Sequence, residues 1–129
     1  MQNLLIELAL LLKILSNTVA QVPEVTAETK NFYTIEASVS AYTADPLETD
    51  DEPLISASGH VVFERMAACP NFLKFGAAIE IDYERYYCYD RMARRFRESK
   101  DPYYIDIFMW DKDNALKFGR STRTVKIFK

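Results

Sequence analysis

Glycine is scarce in this chain, three in 129 residues with five prolines, which excludes a collagen-like or linker-dominated polypeptide. Cysteine occurs twice, too few for a disulfide-dense scaffold or a four-cysteine zinc site. The single histidine, His60, excludes His-rich metal sites and leaves a Ser-His-Asp arrangement with one candidate base. Uninterrupted apolar runs are also missing. The most apolar stretch, residues 1–20, is broken by Glu7 and Lys13, whereas a membrane-spanning helix wants about 20 predominantly apolar residues. No glycine-rich phosphate loop and no H-E-x-x-H occurs, so neither a metal nor an organic cofactor is expected.

What the chain does contain is ordinary for one globular domain: 49% hydrophobic and 27% charged residues. The formal net charge of −3 conceals an asymmetry. Residues 1–64 carry ten acidic and two basic side chains; residues 65–129 carry nine acidic and fourteen basic. A weakly acidic whole argues against a dedicated nucleic-acid binder, whose affinity rests on phosphate neutralisation. The basic half can hold an anionic polymer, or the two halves can simply present solvated faces that attract each other.

Residues 1–20 (MQNLLIELALLLKILSNTVA) follow the plan of an export signal, with Thr18-Val19-Ala20 as the cleavage tripeptide and Gln21 as the new terminus. The other reading is an amphipathic helix that packs on a partner or associates weakly with a membrane surface. Residues 21–31 are polar and read as a connector, which leaves residues 32–129 as the folded domain.

Within that domain, Tyr33, Ile35, Ala37, Val39 and Ala41 alternate with polar residues, the period of a half-buried strand. The acidic stretch from Asp45 to Glu52 has no apolar periodicity and reads as a solvated loop; its spacing is not that of a calcium loop. Further strands are expected over His60–Phe63, Met66–Cys69, Ala77–Tyr83, Tyr86–Asp90, Tyr104–Met109 and Thr122–Phe128. Residues 91–101 are charged and read as irregular. Asp111 can cap a short helix through Phe118, with Gly119 as its terminus. About seven short strands and one short helix near the C-terminus, closely spaced, make a small all-β barrel or sandwich.

Two carboxylates stand out. Asp106 interrupts an otherwise apolar strand between Ile105 and Ile107, and Asp90 ends an aromatic one. An aspartate in a strand either faces water on the polar side or, if buried, needs a partner or a proton. Two such groups in a half-dry cleft would repel, and one would keep its proton, which is what glycosidic cleavage asks of a general acid.

These pieces lie in a recognisable order. Val39-Ser40-Ala41-Tyr42, Glu48 to Pro53, Ser56-Ala57-Ser58-Gly59, Asn71 to Gly76, Tyr89-Asp90-Arg91-Met92, Ile105 to Met109 and Asn114 to Gly119 together resemble the three-aspartate (3D) domain of bacterial cell-wall proteins. That family is similar to the catalytic barrel of membrane-bound lytic transglycosylase A and to the stationary-phase lytic transglycosylases. The resemblance implies a six-stranded double-psi β-barrel that acts on the O-glycosyl bonds of peptidoglycan glycan strands in cell-wall turnover, in an exported protein. It implies Asp106 as catalytic acid and Asp90 as the second catalytic aspartate, with Tyr42 and Arg91 flanking them. The family's first aspartate falls on Cys69, and the segment after Asp90 reads Arg-Met-Ala-Arg-Arg in place of a glycine-rich turn. The alternative is therefore a non-catalytic glycan- or wall-binding barrel. Because the family clusters the position of Cys69 with that of Asp90, the resemblance also brings Cys69 near Cys88 and implies a disulfide. The aromatic run Tyr83, Tyr86, Tyr87, Tyr89, Tyr103 and Tyr104, and Trp110, can stack on sugar rings or pack as strand residues do. Arg91, Arg94, Arg95 and Arg97 can hold sugar or peptide carboxylates or stay solvated.

Overall fold

The computed structural model describes residues 31–45, 47 and 52–129. The expected leader (1–20), nearly all of the connector (21–31) and most of the acidic loop lie outside the described residues.

Six strands close into a barrel: β1 (Phe32–Tyr42), β2 (Met66–Ala68), β3 (Ala78–Ile81), β4 (Glu84–Asp90), β5 (Tyr103–Phe108) and β6 (Ser121–Phe128). Two short helices lie between strands, α1 (Arg94–Arg97) before β5 and α2 (Lys112–Phe118) before β6. The order around the barrel is β1-β5-β2-β4-β3-β6. Two neighbouring pairs are parallel, β1 with β5 and β2 with β4, and the other four are antiparallel. Exchanging β1 with β4, β2 with β5 and β3 with β6 swaps four of these pairings two by two and maps β2–β5 and β3–β6 onto themselves, each with its sense kept. The barrel therefore has the connectivity of a pseudo-twofold object, with the axis between β2 and β5. Closure and strand number are those expected for a small six-stranded all-β barrel.

The alternation legible in the sequence builds the interior. Ala37 and Val39, Ala67, Ile79 and Ile81, Cys88, Ile105 and Ile107, and Val125 and Ile127 form one buried cluster, to which every strand contributes. A smaller cluster of Val62, Met66 and Phe108 lies under the long β1–β2 connection. Cys69 and Cys88 are joined by a disulfide with Cα atoms 5.6 Å apart and are fully buried in the main cluster.

Four expectations are corrected. His60–Phe63 is not a strand: only an isolated bridge from Val61 to Ile55 forms, because the connection folds back on itself instead of joining a barrel strand in a ladder. Residues 91–101 are not wholly irregular, since α1 occupies Arg94–Arg97; at four residues it is too short to leave an apolar period. The helix count is accordingly two. Tyr83 is not part of a strand. With Asp82 it forms the two-residue β3–β4 turn, both at positive φ (51° and 66°), as a hairpin turn of the primed kind requires. The helix at Lys112–Phe118 is as expected: the Asp111 carboxylate accepts from Asn114 N at 2.9 Å and Gly119 ends it at φ 63°.

Two stability outcomes follow from this. The disulfide closes a loop of sequence separation 19, which the loop-entropy relation values at about 3 kcal/mol; urea denaturation of Cys69→Ala/Cys88→Ala is expected to show a loss of that size. Tyr83 is 94% exposed, so its side chain anchors nothing. Relieving its left-handed backbone with Tyr83→Gly is expected to raise the unfolding free energy by up to about 1 kcal/mol, read as a higher urea midpoint.

Candidate active site

Backbone register sets four residues in a row across one end of the barrel. Ser40 of β1 is level with Asp106 of β5, Asp106 with Ala68 of β2, and Ala68 with Asp90 of β4. At about 4.8 Å per strand, the Cα atoms of Asp90 and Asp106 are two strand spacings apart, roughly 9–10 Å. Ala68 between them contributes only a methyl group. Strict alternation would turn Asp90 to the same side as Cys88, which is in the core. A register shift between Ala67 and Ala68 intervenes: Ala67 pairs with Cys88 but Ala68 with Asp90. Such a bulge bends a strand and re-aims the residue beyond it, and Asp90 instead lines an open cleft. On β5 no bulge is needed: Ile105 and Ile107 point inward and Asp106 outward.

The cleft has a volume of about 590 Å³ and is lined by Asp90, Asp106 and Tyr42, by Pro53, Ile55 and Ala57 of the β1–β2 connection, and by residues from Arg91 to Arg97. This is within the size of ordinary small-ligand sites. Among the described residues no group of three or more His, Cys, Asp or Glu side chains could hold a metal ion.

Asp90 is held from three directions. Tyr42 Oη donates to Oδ2 at 2.7 Å, and Ala57 N and Arg91 N donate to Oδ1 at 2.9 and 2.8 Å. The long connection is thus tied to β4 through the carboxylate itself and through Ser58 N, which donates to Tyr89 O at 3.3 Å. Asp106 accepts from the Ser40 hydroxyl across the β1–β5 pair. Tyr42 connects the two aspartates electrostatically. Burial pushes its phenol well above the usual tyrosine range, and the charge and hydrogen bond of Asp90, then the charge of Asp106, push it further. Its ring packs edge-on against Phe108 at 5.5 Å, which fixes its direction.

Asp90, Asp106, Tyr42 and Arg91, expected at the site, are brought together on this cleft. Cys69 is not: its sulfur is inside the barrel, bonded to Cys88, and only its backbone reaches the site, N donating to Asp90 O at 3.2 Å and O accepting from Arg91 Nη1 at 3.3 Å. Arg91 is a wall residue. Its guanidinium also bonds the carbonyls of Leu73 and Asp90 and lies over the Phe75 ring at 4.4 Å. Arg94 pairs with Glu98 and is off the cleft, whereas Arg95 and Arg97 line it. None of the six tyrosines from Tyr83 to Tyr104 lines the cleft, and neither does Trp110, which packs edge-on against Phe108 at 4.8 Å. The cleft's aromatic residues are Tyr42 and Phe96.

Sequence reasoning missed Ser40, Ala57 and Arg120. Ser40 is two residues before Tyr42 on the polar side of β1, so period two carries a signal for it. Ala57 acts through its backbone, and Arg120 reaches the cleft by topology alone; neither leaves a trace in the residue pattern. No protein-family model matches the chain, and no curated protein matches it in sequence.

The buried phenol has a consequence in alkali. Above pH 10.0, the ordinary tyrosine value, the unfolded chain releases the Tyr42 proton while the folded one keeps it. Stability therefore falls as pH rises, by about 1.4 kcal/mol per unit for this group. Summed from pH 9 to 11 this group's loss comes to about 1.4 kcal/mol, and urea melts over that range are expected to show Tyr42→Phe losing that much less stability; equal losses would contradict the assignment.

Proposed function

We propose that the chain is an exported peptidoglycan-cleaving enzyme of the lytic-transglycosylase type, working on glycan strands in cell-wall turnover. The observation that carries this reading is the pair Asp90 and Asp106 in one open cleft, separated by a residue as small as Ala68. The order of motifs from Val39 to Gly119 and the closed six-stranded barrel are consistent with it. The buried disulfide suits an oxidising compartment outside the cytosol.

The hydrogen bonds divide the roles. Asp90 accepts from three donors and is built into the wall, so it is a positioning residue that holds Tyr42 and the Ala57 segment. Asp106 is the catalytic acid, oriented by Ser40. Asp106 protonates the glycosidic oxygen between N-acetylmuramic acid and N-acetylglucosamine, and the C1–O bond breaks with its electron pair leaving on that oxygen. The C6 hydroxyl of the same muramic acid then bonds to the oxocarbenium carbon and returns its proton to Asp106. An internal nucleophile takes the place of water and leaves a 1,6-anhydro end, so the second carboxylate of ordinary glycosidases has no required chemical role.

One observation favours a second reading, a wall-binding barrel without catalysis: the family's first aspartate is replaced by Cys69, whose side chain is locked in the core. Incubation with purified sacculi followed by mass spectrometry separates the two. The enzyme reading expects soluble 1,6-anhydro muropeptides, with release falling at least about 100-fold in Asp106→Asn. Sacculus binding without any release would establish the second reading and sink the first.

A further inference from the structure

The cleft that holds two aspartates is also lined by four arginines, Arg91, Arg95, Arg97 and Arg120. The paired arginines of this protein are elsewhere: Arg65 with Glu84, Arg94 with Glu98 and Arg123 with Asp82. Among the described residues, none of the four cleft arginines forms an ion pair with a carboxylate. Asp90 does not serve them, since its side chain accepts from a phenol and two backbone amides. Arg91 satisfies its guanidinium on three carbonyls. Arg97 is the conspicuous one: its Nε is buried with no hydrogen-bond partner although the side chain lines the cleft.

An unsatisfied buried guanidinium nitrogen is costly, and the group's planar fork matches a carboxylate edge to edge. Crowding adds to the cost. The Arg91 guanidinium is held below its usual range by burial and then by the charge of Arg97. The remaining two cations are pre-positioned on an aromatic pair. Phe96 and Tyr104 meet at 5.2 Å; Arg95 lies over the Phe96 ring at 4.6 Å and Arg120 over the Tyr104 ring at 5.4 Å. Stacking of this kind limits the side-chain freedom lost on binding.

We infer that Arg97 and Arg120, with Arg95 beside them, form an anion subsite in the cleft wall that takes a carboxylate carried by the glycan. The inference rests on the glycan reading above and deepens it: the substrate is a sugar bearing an acidic substituent, such as a lactyl ether, and uncharged N-acetylglucosamine polymers are poor ligands.

The test uses the full chain, labelled with ¹⁵N, and two disaccharides that differ by the lactyl group: N-acetylglucosaminyl-N-acetylmuramic acid and N,N′-diacetylchitobiose. The acidic sugar is expected to bind at least about tenfold more tightly, the scale of one charge-assisted bidentate contact, and to shift the Arg97 Nε–Hε resonance. Arg97→Gln with Arg120→Gln is expected to remove the difference between the sugars. Arg120→Gln alone reduces it and serves as the variant at an exposed position if the double variant misfolds. Equal affinity for both sugars overturns the subsite and leaves the glycan reading intact. Binding of neither sugar, with lactate alone still shifting Arg97, upholds the anion subsite and removes the glycan reading. Phosphate bound in preference to lactate, or no response to any of these probes, overturns the assignment.

Discussion

A three-residue strand closes this barrel. Met66–Ala68 is hydrogen-bonded to β4 on one side and β5 on the other, and without it the sheet would open between the two strands that carry the aspartates. All three residues are buried, so the strand is held by packing as well as by its ladders. The next residue, Cys69, is bonded to β4 through the disulfide and through its amide. The separation of Asp90 and Asp106, the emptiness between them at Ala68 and the bulge that aims Asp90 all follow from how this short strand is wedged in place.

The cleft combines charges of both signs. Two carboxylates and a phenol are held by hydrogen bonds from the barrel and from the β1–β2 connection. Its guanidinium groups are supported by aromatic rings and, at Arg91, by carbonyls. In water such groups would be screened or would collapse into ion pairs. Here Asp90 is satisfied by neutral donors, a phenol and two backbone amides, and among the described residues the cleft arginines form no ion pair with a carboxylate.

Legibility in the sequence followed strand length and periodicity. β1, β5 and β6 alternate cleanly and were expected within about one residue, as was the Asp111 cap. The β3–β4 hairpin was readable, but its turn was hidden because Asp82-Tyr83 lacks the glycine or asparagine that usually marks a primed turn. His60–Phe63 has the composition of a strand; its place in a folded-back connection is a tertiary outcome that composition does not encode. Of the site, Asp106 was visible as a charge inside an apolar strand. Asp90 was visible as a residue, but its orientation depends on a bulge, and a bulge leaves no period. Cys69, expected beside the site, points into the barrel, since its side chain is committed to the disulfide with Cys88.

The symmetry of the pairing bears on how the chain comes together. Divided into β1–β3 and β4–β6, the barrel contains no hydrogen-bonded pair within either half: all six ladders join a strand of one half to a strand of the other. A nascent chain that has produced only β1, β2 and β3 has no native ladder to form, and the first becomes available with β4. Loop closure has to be met before most contacts reward it, which places the domain among the slower, more cooperative folders of its size. Interlacing of this kind also means that no excised half can retain the native sheet.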